Sequence, residues 1–201
     1  MAQPDTSTAS TRDRLVASAA ALLLRNGYSA TGLKAITAAG RAPVGSLYHH
    51  FPGGKEELAA EAIRVAGAGY QLLVDAVIDD APDLATGIAR SFPAAAAALE
   101  ASGYADACPI ATVALEVANT NEVLRRATAE VFEGWTDALA RRLTAAGLAS
   151  DEARTLAYAY LAALEGGFVL SRATRSTEPL LAAGRVTAEH VAAALASADG
   201  P

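Results

Sequence analysis

Between Pro43 and Phe51 the chain reads PVGSLYHHF. On a helix Leu47 and Phe51, four residues apart, share one side, while Gly45, Ser46, Tyr48, His49 and His50 occupy the others. Glycine lets a backbone approach a ligand closely, and a hydroxyl, a phenol and two imidazoles donate to phosphate oxygens or base edges. A core helix would not present that set; a helix lying in a DNA groove would. Taken alone, Tyr48 reads equally well as a cap over the core with its hydroxyl in water. The adjacent histidines suggest a metal, but neighbouring side chains diverge on a helix and only His190 remains elsewhere, so no metal site is expected. Catalytic groupings are missing too. There is no nucleophile elbow and no phosphate loop, and the pairs Glu56-Glu57 and Asp79-Asp80 fall at helix ends, where solvation or the helix dipole explains them. No catalytic residue and no cofactor is expected.

The 201 residues carry a net charge of −6, which argues against a polyanionic partner until it is divided along the chain. From Thr6 to Lys55, Arg12, Arg14, Arg25, Lys34, Arg41 and Lys55 face Asp13 alone, a local +5 that leaves −11 elsewhere. A cationic end can hold phosphates while the acidic remainder repels them. The alternative reading is a chance fluctuation in a short window. The single cysteine, Cys108, excludes an internal disulfide and suggests a reducing cytoplasm. The polar MAQPDTSTAS start is no signal peptide, and apolar runs such as Val16–Leu24 are too short to span a membrane.

These residues must be positioned by helices. Alanine, leucine, arginine and glutamate dominate, and apolar residues recur at helical spacing, so the chain is predicted to be all-α. A first helix starts at Ser10 or Thr11, buries Leu15, Ala19, Leu22 and Leu23, and stops at Asn26-Gly27. A short helix over 33–39 places Leu33 and Ile36 inward. After Gly40-Arg41-Ala42, Pro43 opens a third that runs through His49 and ends at Phe51-Pro52-Gly53-Gly54. Two short helices joined by a tight turn, after a longer amphipathic one, make a three-helix helix-turn-helix unit.

The stretch from Thr11 to about Ile63 resembles the DNA-binding domain of TetR-type transcriptional regulators. The matching residues are Asn26-Gly27-Tyr28, Thr31, Ile36, Gly45-Ser46-Leu47-Tyr48, His50-Phe51 and Lys55-Glu56-Glu57-Leu58. The extra glycine in FPGGKEEL and the Cys108-Pro109-Ile110-Ala111 opening of a later helix resemble the branch typified by the lincomycin-resistance repressor. The resemblance implies that the Thr31 hydroxyl contacts phosphate, that Gly45 and Tyr48 approach bases or phosphates, and that His49, His50 and Lys55 contact the DNA backbone. Lys34, Pro43 and Ser46 complete the expected DNA-binding set. The family usually has Gly where Arg41 stands and a cation where Val44 stands. Either Arg41 takes over a phosphate or guanine contact, or it is a solvated turn residue.

Further helices are predicted over 55–79 (Leu58, Ala62, Val65, Leu72 and Ala76 inward), 83–102 (bent at Pro93), 109–118, 121–146, 151–176 and 187–197. In the first of these, Gly67 and Gly69 mark a bend or a close helix crossing. Pairs Glu122/Arg126 and Asp137/Arg141 fall on the wet side of the 121–146 helix. The 121–146 and 151–176 helices, with Gly166-Gly167 allowing close approach, are expected to form a four-helix homodimer interface. Tyr70, Phe92, Cys108, Phe132, Trp135, Tyr158, Glu165 and Phe168 are candidate walls of a ligand site, ordinary core being the competing reading for each aromatic. Glu165 faces ligand, dimer partner or solvent.

The domain organisation expected is a disordered arm over 1–10, a helix-turn-helix DNA-binding domain over 11–65 and a helical ligand-binding and dimerisation domain over 66–201. The whole reads as a cytoplasmic, homodimeric repressor that binds palindromic operator DNA and is released by a small, largely apolar effector. Two alternatives stay open: a DNA-binding architectural or activator protein without a ligand, and a helical small-molecule-binding protein or enzyme with a degenerate head.

Overall fold

The computed structural model describes residues 9–106 and 108–198, so residues 1–8 of the expected arm lie outside the described residues. Among the described residues there are nine helices and no strand: α1 (Thr11–Asn26), α2 (Leu33–Ala39), α3 (Val44–His50), α4 (Gly54–Asp79), α5 (Leu84–Ala101), α6 (Pro109–Val117), α7 (Glu122–Ala145), α8 (Ser150–Thr174) and α9 (Glu178–Ala198). None of them is long and apolar enough to cross a membrane. The chain divides into two compact units, one comprising the chain up to Ala68 with Pro109–Val131, the other Gly69–Cys108 with the chain from Phe132 onward. The division does not follow a single cut in the sequence, because α6 and the start of α7 belong with the N-terminal helices.

In the first unit, the Ser10 hydroxyl caps α1 by accepting the Asp13 N–H at 3.1 Å, and Gly27 ends it with φ +74°. Leu15, Val16, Ala19 and Leu23 form its buried face, with Leu22 only partly covered. Ile36 of α2, Leu47 of α3, Phe51 and Leu58, Ala62 and Ile63 of α4 complete this core. Leu47 is wholly buried and anchors α3, a burial worth about 2 kcal/mol. The turn before α3 is held from below: Arg14 donates Nε–H to the Gly40 carbonyl at 3.1 Å and Nη1–H to that of Ala9 at 2.8 Å. A methyl group on Gly67 would overlap the Val131 side chain, so that glycine serves close helix packing, whereas Gly69 faces open space.

The predicted stripe of α4 continues only as far as Ala62: Val65, Leu72 and Ala76 are exposed, and Val74 and Ile78 are the covered residues of the second half. Extrapolating one stripe fails because the second half is covered on a side set by α7 and α8 rather than by the helices that bury Leu58.

In the second unit, Ile88, Phe92 and Leu99 of α5, Leu139 and Leu143 of α7, Leu156 and Tyr160 of α8 and Leu180 and Val191 of α9 make the core. Asp83 caps α5 through the Thr86 N–H at 2.8 Å, and Pro93 sits inside the helix on an exposed face. The last helix is longer than predicted. It begins at Glu178, because Pro179 falls in the first turn, where a missing N–H costs nothing. The last two long helices are therefore α8 and α9, not α7 and α8. Asp137 also departs from its expected Arg141 pairing and accepts Arg154 of α8 at 2.6 Å.

Candidate functional site

The α3 helix presents the polar set outward. Tyr48 is 50% exposed, His49 is exposed, Ser46 and His50 are half-buried, and the space beside Gly45 is open. Pro43, extended at φ −61° and ψ 148°, is the N-cap and is exposed, as are Lys34 on α2 and Arg41 in the turn. Val44, where the family usually has a cation, is 48% exposed on the same helix. Arg41 has φ +48°, a left-handed conformation in which a side chain costs about 1 kcal/mol relative to glycine. That accounts for the family's glycine at this point of the turn. The rings of His49 and His50 are 5.0 Å apart and edge-to-face, and no metal-holding group of acids, cysteines and histidines occurs among the described residues.

Two expected DNA contacts are placed differently. Thr31 is buried, its hydroxyl donating to the Gly27 carbonyl at 2.6 Å to close the turn between α1 and α2. Lys55 donates from Nζ to the Tyr28 carbonyl at 2.7 Å and lies 4.0 Å from the Tyr28 ring centroid. Burial lowers its pKa, with Glu116 opposing. Its ammonium fastens α4 to the segment after α1.

The same corner contains a residue that sequence reasoning missed. Glu116 of α6 accepts the Tyr28 N–H at 2.6 Å and the Ser29 N–H at 2.7 Å. Burial pushes its carboxyl up, but the bonds from Ser29 and Tyr28 and the charge of Lys55 outweigh that and leave it below the usual range. Nothing local marks Glu116, because its partners lie more than 80 residues away.

The second unit encloses a cavity of about 60 Å³ between α4, α7 and α8. Of the expected ligand residues, Tyr70, Cys108, Trp135, Glu165 and Phe168 line it. Phe92 does not: it is fully buried in the core, edge-to-face on Tyr160 at 5.2 Å, with Gly184 of α9 making room for its ring. Phe132 packs edge-to-face on Trp135 at 5.8 Å, outside the lining. Tyr158 is 49% exposed beneath Arg154, two residues before Tyr160, which takes the cavity position. Val74, Ile78, Leu139, Leu161 and Leu164 supply carbon surface, and Arg142 enters the wall held by Asp75 at 3.0 Å and by Asp79. Burial, helped by Cys108, Asp106 and Glu165, pushes the Tyr70 phenol up to about 12. The Tyr160 hydroxyl is satisfied by the Ser91 side chain at 2.9 Å.

Comparison with known proteins covers both units. The family model for bacterial regulatory proteins of the tetR family matches residues 15–62, and that for the C-terminal domain of LmrA/YxaF-like transcriptional regulators matches 85–186. The HTH-type transcriptional regulator YxaF of Bacillus subtilis is 35% identical over 176 residues, 88% of this chain and 92% of its own. A TetR transcriptional regulator from Legionella pneumophila shares the fold with a TM-score of 0.79 at 21% identity, covering 92% of this chain and 98% of its own. A cysteine mutant of the TetR family regulator CifR, solved with a 26-bp double-strand operator DNA, gives 0.74 at 24% identity over 94% and 98% of the two chains. A helix-turn-helix head matched over α1 to α4 and cavity-bearing helices matched over α5 to α9 leave one conclusion: the chain belongs to the TetR family of transcriptional regulators, in the branch with an LmrA/YxaF-like C-terminal domain.

Proposed function

We propose that this regulator is a homodimeric cytoplasmic repressor, held on a palindromic operator by two copies of α3 and released by a small, largely apolar effector in the 60 Å³ cavity. The observation that carries this reading is α4 itself. One continuous helix contributes Leu58, Ala62 and Ile63 to the core beneath the reading helix, and Tyr70, Val74 and Ile78 to the cavity wall. The cavity is several waters in size, well below the roughly 300 Å³ or more of a preformed drug-sized site. An effector must therefore push α4, α7 and α8 apart as it enters. That displacement is what a repressor needs, since two reading helices must sit about 34–36 Å apart to occupy successive grooves. A differential affinity of about 5.5 kcal/mol between the two states would take operator occupancy from nearly full to nearly empty.

Dimerisation has a surface suited to it. Tyr158, Ala162, Gly166, Val169 and Ala173 recur at helical spacing on α8, all exposed, with Leu170 beside them and open space at Gly166. Val186 of α9 is 67% exposed. A stripe of small and apolar residues on long helices is what a four-helix interface buries, and a stable one needs about 800 Å² per partner.

The test is a binding titration of the purified full-length chain on its own upstream DNA against random duplex. Preference for the upstream duplex that weakens steeply with salt is expected, since few cations per subunit neutralise phosphates. Equal binding to both duplexes, or none to either, would overturn the repressor reading.

A further inference from the structure

An apolar effector leaves one group in the cavity without a purpose. Glu165 enters a wall whose surface is mostly carbon and whose other polar side chains, Gln71, Thr136 and Arg142, already have partners, while its own Oε2 is enclosed and without a hydrogen-bond partner. Burial pushes the carboxyl up to about 7, against a hydrogen bond with Cys108. An isolated carboxylate in such surroundings is costly, and the cost is removed by a partner that brings charge or protons. The protein does not supply that charge. Arg142, the cation among the lining residues, is already held by Asp75 and Asp79. Cys108, Asp106 and Glu165 each add negative potential at the Tyr70 hydroxyl. Aromatic faces complete the surroundings: Tyr70 and Trp135 are 6.5 Å apart, and Phe168 lies one turn beyond Glu165 on α8.

We propose that the effector is a lipophilic amine, a small ring or hydrocarbon body whose protonated nitrogen pairs with the Glu165 carboxylate among the rings of Tyr70, Trp135 and Phe168. The proposal rests on the reading of this cavity as the effector site and adds the chemical class it selects. The nitrogen satisfies Oε2 directly and gains from the ring faces. A neutral body without a donor fills the carbon wall and leaves Oε2 unmet, a hydroxyl offers it only an uncharged donor, and an anion meets acids while the lining cation Arg142 is already held.

Trp135 is the only tryptophan in the chain and lines the cavity, so intrinsic fluorescence reports occupancy directly. The full-length protein is titrated at pH 7.5 with 4-methylbenzylamine, 4-methylbenzyl alcohol, 4-methylacetophenone and 4-methylbenzoate. The amine is expected to bind about tenfold more tightly than the alcohol or the ketone, with the benzoate weakest. In Glu165→Gln the ratio of amine to alcohol affinity should fall to about one, because the ammonium loses its counter-charge. Amine and alcohol binding equally in the wild type, ketone or benzoate binding tightest, or an amine preference that survives Glu165→Gln would each overturn the amine proposal while leaving the cavity as the effector site. No fluorescence response to any of the four, in protein that still binds operator, would overturn both. The wild-type series decides the matter even where the variant folds poorly.

Discussion

Single residues decide what each end of the molecule can recognise. Arg41 keeps a strained turn conformation that glycine would adopt freely, and it stands exposed just ahead of α3. Tyr48 stands exposed on the same helix, held there by the buried Leu47 beside it. Glu165 is the corresponding residue of the cavity, and its ionisation has a stability consequence with a definite sign. Its folded pKa, about 7, lies above the unfolded value of about 4.3. Folding thus favours the protonated form: the native state is unpenalised below pH 4, loses stability as pH rises from about 4.3 to 7, and carries the full loss above that, at most about 4 kcal/mol. The groups facing this carboxyl are Tyr70 on α4 and Cys108 ahead of α6. Glu165→Gln should raise the urea midpoint at pH 8 and leave it nearly unchanged at pH 4. A variant less stable than wild type at pH 8 would mean that the carboxylate already has a cationic partner.

At the scale of elements, the first unit is fastened at one corner. Glu116 of α6 and Lys55 of α4 both close on the segment after α1, the first through the N–H groups of Tyr28 and Ser29, the second through the Tyr28 carbonyl. Asn121 adds a bond to Glu56 at 2.6 Å, tying the loop before α7 to the start of α4. These bonds hold the segment that leads into α2. Glu116→Ala removes two acceptors at a partly exposed site, for which about 1 kcal/mol is expected. Amide exchange at Tyr28 and Ser29 should then quicken five- to tenfold, roughly the factor that this energy sets. Unchanged protection of those two amides would show that Glu116 does not hold the corner.

For the whole molecule, the uneven charge and the exposed stripe on α8 belong together. A head with a local +5 has few phosphate contacts to offer, and an acidic remainder discourages non-specific coating of DNA. In the proposed repressor, tight operator binding depends on joining two heads, and the exposed stripe from Tyr158 to Ala173 is the surface proposed to join them. Leu170→Arg puts a charge beside that stripe where the side chain is now 57% exposed. It should leave the folded monomer intact, convert the dimer to monomer in sedimentation equilibrium, and weaken operator binding at least about a hundredfold. A Leu170→Arg protein that remains dimeric would move the interface elsewhere.

The helices, their caps and the helix-turn-helix head were legible in the sequence because each depends on residues close together. Ser10 and Asp13 start α1, Gly27 ends it, and the spacing of Leu47 and Phe51 orients α3 so that Tyr48 faces out. Where the signal was local but ambiguous, as at Glu178-Pro179, the prediction started the helix too late. Tertiary structure alone decided which aromatics meet. Tyr158 and Tyr160 differ by two residues and about 200° of helix, and only packing against α4, α5 and α7 puts Tyr160 at the cavity and leaves Tyr158 in water. It likewise turned Thr31 inward, bonded Lys55 to the Tyr28 carbonyl, enlisted Glu116 from a distant helix, and left Glu165 among carbon atoms. Periodicity fixes which side of a helix is apolar. What that side meets, and whether a carboxylate on it finds a partner, is set by contacts between residues far apart in the chain.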